Sequence, residues 1–336
     1  MKPDGPKRYF NYFWANIYGA PMEGTKGNFA GKMNVDPRLA SYWRGRVLLS
    51  VKIVETDKPK LMVVPINEPQ LPAFISEHYD GGEDEYETRC QVFSGSGLPC
   101  VDKQLKVEVC WGKKIIPSKQ QTTLQTNVKG ACEWYETLPR KSINSPSSNF
   151  DDLPDVFVYL MYDNTIVSYI RLLPKDYQSI DGRPEWLQLI PDKSTGVIKN
   201  DWEGGFLRLR FYCGKTTKVD TSSQAGWKEK LQKPIAGNKL LLANIFQCRN
   251  LPSADSNGKA DPYVKIKCGS QENLTGMEAR MNNLNPIWYE TLAVPVSCFS
   301  KADAPPIVVQ VWDFDTIGFD DLMGIYVAKV KPHVDD

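Results

Sequence analysis

Leu251-Pro-Ser-Ala-Asp255-Ser-Asn-Gly-Lys-Ala-Asp261-Pro262-Tyr263-Val264 and, later in the chain, Val311-Trp312-Asp313-Phe314-Asp315-Thr-Ile-Gly-Phe-Asp320-Asp321-Leu-Met-Gly324 decide the reading of this sequence. Each run follows a short apolar stretch that reads as a β-strand, so the aspartates collect at strand ends. Carboxylates gathered there repel one another, by about 4 kcal/mol per pair at roughly 4 Å near a protein surface. A cation between them removes that cost. Hard divalent cations, calcium above all, take oxygen ligands in such open arrangements.

Outward from these runs the chain is a series of short apolar or alternating stretches bounded by Gly, Pro, Asn and Asp. They include 46–53, 88–93, 105–110, 156–161, 206–212, 240–246, 263–267 and 307–312, and long helical periodicity is scarce. This pattern predicts an all-β chain of antiparallel β-sandwiches. There is an internal repeat. Val92-Phe93 and Leu98-Pro99 align with Ile245-Phe246 and Leu251-Pro252, and Trp134-Tyr-Glu-Thr-Leu138 recurs as Trp288-Tyr-Glu-Thr-Leu292. Two domains of one fold follow.

The copies differ where the aspartates lie. After Leu98-Pro99 the first copy has a shorter run, with Asp102 and Lys103 and no Asp-Pro-Tyr. Aligning the Thr-Ile pairs sets Tyr162, Asp163 and Asn164 opposite Asp313, Phe314 and Asp315, and Ile170 opposite Asp321. The first copy is therefore expected to hold no calcium. The predicted domains are residues 1–60, 86–216 and 237–336, joined by linkers at 61–85 and 217–236.

The aspartate runs resemble the calcium loops of a C2 domain, and Leu284-Asn285-Pro286-Ile287-Trp288-Tyr289-Glu290 between them is similar to another hallmark of that domain. The wider arrangement resembles the ferlin family of multi-C2 proteins. Asn16-Ile-Tyr-Gly-Ala-Pro21 followed by Tyr42-Trp-Arg-Gly-Arg-Val-Leu-Leu-Ser50 is similar to the segment closing a central ferlin C2 domain. Leu153-Pro-Asp-Val-Phe-Val-Tyr-Leu-Met161 with Val167-Ser-Tyr-Ile-Arg-Leu-Leu-Pro174 is similar to the ferlin FerB segment. Long ferlins place a helical block before FerB and a DysF module after it, and neither is seen here.

The resemblance implies tandem Greek-key C2 sandwiches: the closing part of one in 1–60, a degenerate C2-like and FerB-like unit in 86–216, and a calcium-binding C2 domain in 237–336. The last of these is expected to lack its final strand. Asp255, Asp261, Asp313, Asp315 and Asp321 match ligand positions for about two calcium ions, with the backbone carbonyls of Ser256 and Phe314 as further ligands. Asp320 is expected to face solvent. Ile317 and Phe319 at the tip of the second run, and Lys265 and Lys267 on the strand after the first, are the membrane-contact residues. The implied partners are anionic phospholipid membranes and fusion-machinery proteins, and the implied role is calcium-dependent membrane binding in vesicle trafficking, fusion or repair. The setting is the cytoplasmic face of membranes, with a C-terminal transmembrane anchor beyond this segment.

Composition narrows the alternatives. The 336 residues carry a net charge of +1, so no global field draws nucleic acid or an anionic surface, and attraction must be local or switched. The eight cysteines include no Cys-x-x-Cys pair, and several lie in strand-like stretches, as reduced cysteines do. No run approaches the roughly 20 apolar residues of a membrane span, and the first residues lack the apolar core of a signal peptide. The two histidines, His78 and His333, fall in a linker and near the end. There is no His-Glu-x-x-His, Gly-x-Ser-x-Gly or phosphate-binding loop, so no enzyme, small-molecule substrate or nucleic acid is expected. A calcium-independent C2 scaffold for protein interaction, or the regulatory C2 region of a lipid-modifying enzyme, are the competing readings.

Overall fold

Each of the eight apolar or alternating stretches falls on a β-strand as far as it lies within the described residues. The computed structural model describes residues 9–19, 42–52, 84–111, 120–145, 150–179, 184–198, 204–216, 227, 231–233, 235–255, 257–276, 281–316 and 318–328. An N-terminal hairpin comes first, β1 (Tyr9–Gly19) with β2 (Tyr42–Lys52). Next is sandwich I: β3 (Asp84–Ser96), β4 (Gln104–Trp111), β5 (Gln125–Thr126), β6 (Cys132–Thr137), β7 (Lys141–Ser145), β8 (Val156–Tyr162), β9 (Thr165–Leu172), β10 (Glu185–Gln188), β11 (Ile190–Pro191) and β12 (Phe206–Lys215). Sandwich II contains β13 (Gly237–Gln247), β14 (Pro262–Cys268), β15 (Gln271–Leu274), β16 (Ile287–Cys298), β17 (Ile307–Asp313) and β18 (Asp321–Ala328).

Strand order makes the internal repeat explicit. One sheet of sandwich I runs β11-β9-β8-β4-β5, and its counterpart in sandwich II runs β18-β17-β14-β15. The other runs β10-β12-β3-β6, with β7 also on β3, and its counterpart is the pair β13-β16 alone. All of these pairings are antiparallel. Single hydrogen bonds repeat as well. The amide of Val107 donates to Thr122 Oγ1 at 2.9 Å, and that of Val264 donates to Thr275 Oγ1 at 3.0 Å. Both threonines are buried, so each hydroxyl satisfies a strand amide that water cannot reach.

Sandwich I is the fuller body. Its core joins Val92, Leu105, Val107, Val158, Leu207 and Leu209, all at 0 % exposure, around Trp111, whose indole donates to Pro154 O at 3.1 Å. In sandwich II the core is Val264, Ile266, Trp288, Leu292 and Val294, and the inward residues of β13, Leu241, Ala243 and Ile245, are only half-buried. Among the described residues β13 has one partner strand, whereas its counterpart β3 lies between β12 on one edge and β6 and β7 on the other.

Two boundary segments are more engaged than their composition suggests. The hairpin packs on sandwich I, where the Tyr18 ring meets Phe157 edge-on at 5.6 Å and the Arg171 guanidinium lies 5.0 Å from its centroid. Within 217–236, Trp227 is buried under the Arg210 guanidinium at 4.2 Å and beside Tyr212, and Lys233 is ion-paired with Glu133. Strand β3 starts at Asp84, inside the expected linker 61–85, and pairs with Ser145. The rest of that linker, most of 217–236, and His78 and His333 lie outside the described residues. No helix among the described residues is long and apolar enough to cross a membrane.

Candidate metal centre

Two connections, 248–261 between β13 and β14 and 314–320 between β17 and β18, meet at one end of sandwich II because β14 and β17 are paired from Pro262↔Asp313 to Cys268↔Ile307. The first connection is fixed from beneath. The Asn250 amide donates to Asn285 Oδ1 at 2.9 Å, the Cys248 amide to Pro286 O at 2.9 Å, and the Leu251 amide to Leu284 O at 3.1 Å. The Leu284–Glu290 run is therefore a staple for the aspartate loop, and its Trp288 is buried in the core. A tight turn then carries Asp255, whose carbonyl accepts from Gly258 N at 3.0 Å, with Gly258 at φ +78°.

The result is a convergence of carboxylates. Asp255, Asp313 and Asp315 each offer an oxygen, and the three oxygens lie within 4.8 Å of one another. Asp313 is buried, at 1 % exposure, while Asp255 and Asp315 are half-buried. Burial, and then repulsion from Asp255, Asp315 and Asp261, holds the Asp313 carboxyl above the usual carboxylate range, against the hydrogen bond it accepts from the Asp261 amide. Asp315 is raised as well, by desolvation and then by Asp321, Asp255, Asp320 and Asp261. An all-oxygen set whose members resist ionising together fits a hard divalent cation.

The other sequence-predicted residues are placed differently. Asp261 is half-buried and turned to the connection between β15 and β16, where its Oδ1 accepts from the Asn282 amide. Asp321 is exposed at the start of β18, opposite Asp313 in the ladder. Neither is in the three-carboxylate group, though both act on it electrostatically. The Phe314 amide donates to Asp261 O at 3.0 Å, which ties the two loops together. Phe319, on the same connection as Asp315, is 95 % exposed. Ser256 and Ile317 lie outside the described residues. Lys267 is paired with Glu272 at 3.2 Å, and Lys265 lies over Trp312 at 5.3 Å and Tyr263 at 5.9 Å, so both cations already have partners.

Asp320 departs from the sequence expectation. Rather than facing solvent, it is half-buried, with Oδ2 accepting from the Tyr263 hydroxyl at 2.7 Å and Oδ1 accepting from the Asp315 amide at 3.1 Å. It braces the loop that carries Asp315. Adjacency to Asp321 gave no hint of this, because the partner hydroxyl is on another strand.

Residues 239–336 match the C2 domain family. Fer-1-like protein 4 of Mus musculus is 31 % identical over 153 residues, which cover 42 % of this chain and 7 % of that protein. The chain is ferlin-like and carries a C2 domain. Synaptotagmin-3 of Arabidopsis thaliana is 29 % identical over 134 residues, covering 36 % of this ferlin-like chain and 24 % of the relative. Among solved structures, the tandem C2 domains of Extended-Synaptotagmin 2 are 14 % identical at a TM-score of 0.32, covering 81 % of this chain and 86 % of that one. The ferlin-like chain thus spans well under two thirds of the curated relatives it matches.

Proposed function

We propose that sandwich II is a calcium-dependent phospholipid-binding module and that the ferlin-like chain acts in membrane trafficking, at the cytoplasmic face of vesicle or target membranes. The observation that carries this is the convergence of Asp255, Asp313 and Asp315, with the exposed Phe319 on the connection that carries Asp315. Asp255, Asp313 and Asp315 would hold a calcium ion, with Asp261 and Asp321 close enough in charge to serve a second. Bound calcium supplies positive charge and open coordination positions for lipid phosphate or carboxylate. The chain's own part is to hold the carboxylates together. The staple at 284–286 sets the connection that carries Asp255, the β14–β17 ladder sets Asp313, and Asp320 sets the Asp315 backbone. Neutralising this acidic cup is an electrostatic switch that asks for no large rearrangement. Phe319 then faces the lipid.

Sandwich I would serve as a calcium-free scaffold, and the reading involves binding rather than catalysis. Fusion-machinery proteins are the further partners that it suggests. The test is co-sedimentation with anionic liposomes, with and without calcium, for the chain and for Asp313→Asn/Asp315→Asn. Calcium-dependent sedimentation by the chain and none by the variant is expected. A folded chain that stays in the supernatant with calcium, or sediments equally in a chelator, would move the assignment to a calcium-independent scaffold.

A further inference from the structure

Each sandwich carries an outward aromatic pair built by the same strained device. In sandwich I, Phe93 and Tyr135 meet edge-to-face at 5.8 Å and 89°. In sandwich II, Phe246 and Tyr289 do so at 5.9 Å and 76°. Both pairs sit at a register shift, between Val92 and Ser94 on β3 and between Ile245 and Gln247 on β13. Both tyrosines have left-handed backbone, φ +51° and +53°. A bulky side chain there is strained, and a bulge of this kind re-aims side chains. The device is therefore present twice, and its use can be read where it is occupied.

In sandwich I it is the floor of a contact between modules. The Arg208 guanidinium lies 5.3 Å over Phe93 and is ion-paired with Asp303 of sandwich II, and the Trp186 indole donates to Asp303 O at 3.2 Å. Asp303 ends a 3-10 turn, Lys301–Asp303, that precedes β17, and its carboxylate also accepts from Ser300 N at 3.1 Å and Ser300 Oγ at 2.8 Å. The same corner of sandwich I, the 3-10 turn Phe150–Asp152 and the residues leading to β8, meets the hairpin. There Asn16 donates to Leu153 O at 2.9 Å, and the Asp155 amide donates to the Tyr18 hydroxyl at 2.5 Å. Asp155 is paired with Arg171 at 2.6 Å, and Arg171 lies over Tyr18. Twice in this chain, then, a module's pre-strand corner rests on the unit before it through an aromatic ring, a guanidinium and an aspartate.

Sandwich II repeats the aromatic floor, with no occupant and no counterpart of β10 or β12 among the described residues. Phe246 is 57 % and Tyr289 78 % exposed, and Leu240 and Leu242 continue the outward row at 58 % and 59 %. Arg249 nearby is exposed, donates only to Gln247 Oε1 at 3.4 Å, and has no carboxylate partner among the described residues. We propose that the Phe246–Tyr289 face, with Arg249, docks the acidic 3-10 corner of a further β-sandwich module. The occupant is not an unaltered second copy of this chain, because both of its corners are already engaged internally. Such a head-to-tail contact joins different patches of its two partners.

The probe is this chain with its own corner released by Arg208→Gln, studied in chelator so that the outcome is independent of the calcium reading. Analytical ultracentrifugation should show the parent chain as a monomer and the folded Arg208→Gln chain as dimers and larger species, its freed corner docking on Phe246–Tyr289 of another copy. Adding Phe246→Ser/Tyr289→Ser, or Asp303→Asn, should return it to a monomer. If Arg208→Gln does not fold, Trp186→Phe, which removes the indole hydrogen bond to the same corner, gives the same readout. A folded released chain that stays monomeric, or association that survives the Phe246/Tyr289 substitutions, overturns the proposal.

Discussion

The two sandwiches share the strand order of one sheet, bulges and the Thr122/Thr275 hydrogen bond, yet their loop ends differ in chemistry. In sandwich I the β8–β9 connection is the two-residue turn Asp163-Asn164, both residues left-handed, and 97–103 joins β3 to β4. In sandwich II the corresponding connections are 314–320 and 248–261. The tight turn closes on itself, with Lys106 donating to Asn164 Oδ1 at 3.4 Å and Gln121 Oε1 at 3.1 Å. The longer loops instead bring carboxylates together. The same scaffold thus gains a candidate metal centre through loop length and charge, with the β8–β4 pairing retained as β17–β14.

The largest expected effect removes that difference. Asp313→Asn/Asp315→Asn should abolish both calcium-dependent liposome binding and the rise in melting temperature on adding calcium. A ligand that binds only the folded state at a hundred times its Kd stabilises by about 2.7 kcal/mol. Differential scanning calorimetry in calcium and in chelator reads this directly. An unchanged calcium shift in the variant would place the ion elsewhere.

Next in size is Phe319. It is 95 % exposed, so Phe319→Ala should leave the melting temperature unchanged. Burying such a side chain in lipid contributes roughly 1.5–3 kcal/mol, so the variant should weaken liposome affinity by roughly ten- to a hundredfold with calcium affinity intact. Liposome titrations alongside calorimetric calcium titrations separate the two. The two-residue turn of sandwich I offers no comparable tip.

How much of this was legible in the sequence depends on the range of the interaction. The five-residue Trp134/Trp288 repeat and the alternating stretches disclosed the two sandwiches, because strand patterning and motif identity are local. The aspartate spacing and the C2 resemblance singled out Asp255, Asp261, Asp313, Asp315 and Asp321, of which Asp255, Asp313 and Asp315 bring their oxygens together. Loop equivalence was not legible. Aligning the Thr-Ile pairs set Ile170 against Asp321, but Thr165 opens β9 opposite Tyr162 just as Asp321 opens β18 opposite Asp313. The extra residues of sandwich II lie inside the loop, and matched Thr-Ile letters conceal that. Asp320, Tyr18, Trp227 and the Arg208–Asp303 pair were missed for a shared reason: each acts on a partner distant in sequence, and no local pattern marks such a contact.

The raised carboxyls give a further, pH-dependent effect. Asp313 and Asp315 titrate above the ordinary value of 3.8 in the folded chain. Their stabilising contribution is complete below that value and is lost as pH rises through the folded values. In chelator, Asp313→Asn/Asp315→Asn should therefore be more stable than the parent chain at neutral pH, and the gap should narrow as pH falls towards 3.8. Thermal melts of both proteins across that range measure it. Calcium offsets the same repulsion in the parent chain, so its melting shift should shrink over the same interval.

The smallest effect tests whether the two loop ends are braced from the same place. Leu105 pairs with Tyr162 and Pro262 with Asp313, so Lys106 and Tyr263 occupy equivalent positions on β4 and β14. Each reaches across to the following connection, Lys106 to Asn164 and Tyr263 to Asp320. Tyr263→Phe keeps the buried ring and deletes only the hydroxyl. A hydrogen bond to a charged group contributes about 1.5–3 kcal/mol, and a half-buried one belongs at the lower end. Because Asp320 also holds the Asp315 amide at 3.1 Å, part of the loss should appear in calcium binding. The expected outcome is a modest fall in melting temperature with a several-fold weaker calcium affinity by calorimetric titration. Asp320→Asn, which keeps an acceptor oxygen, should give a smaller loss than Asp320→Ala. A Tyr263→Phe chain with unchanged calcium affinity would show that the loop holds Asp315 without the brace, and the equivalence with Lys106 would then be one of position alone.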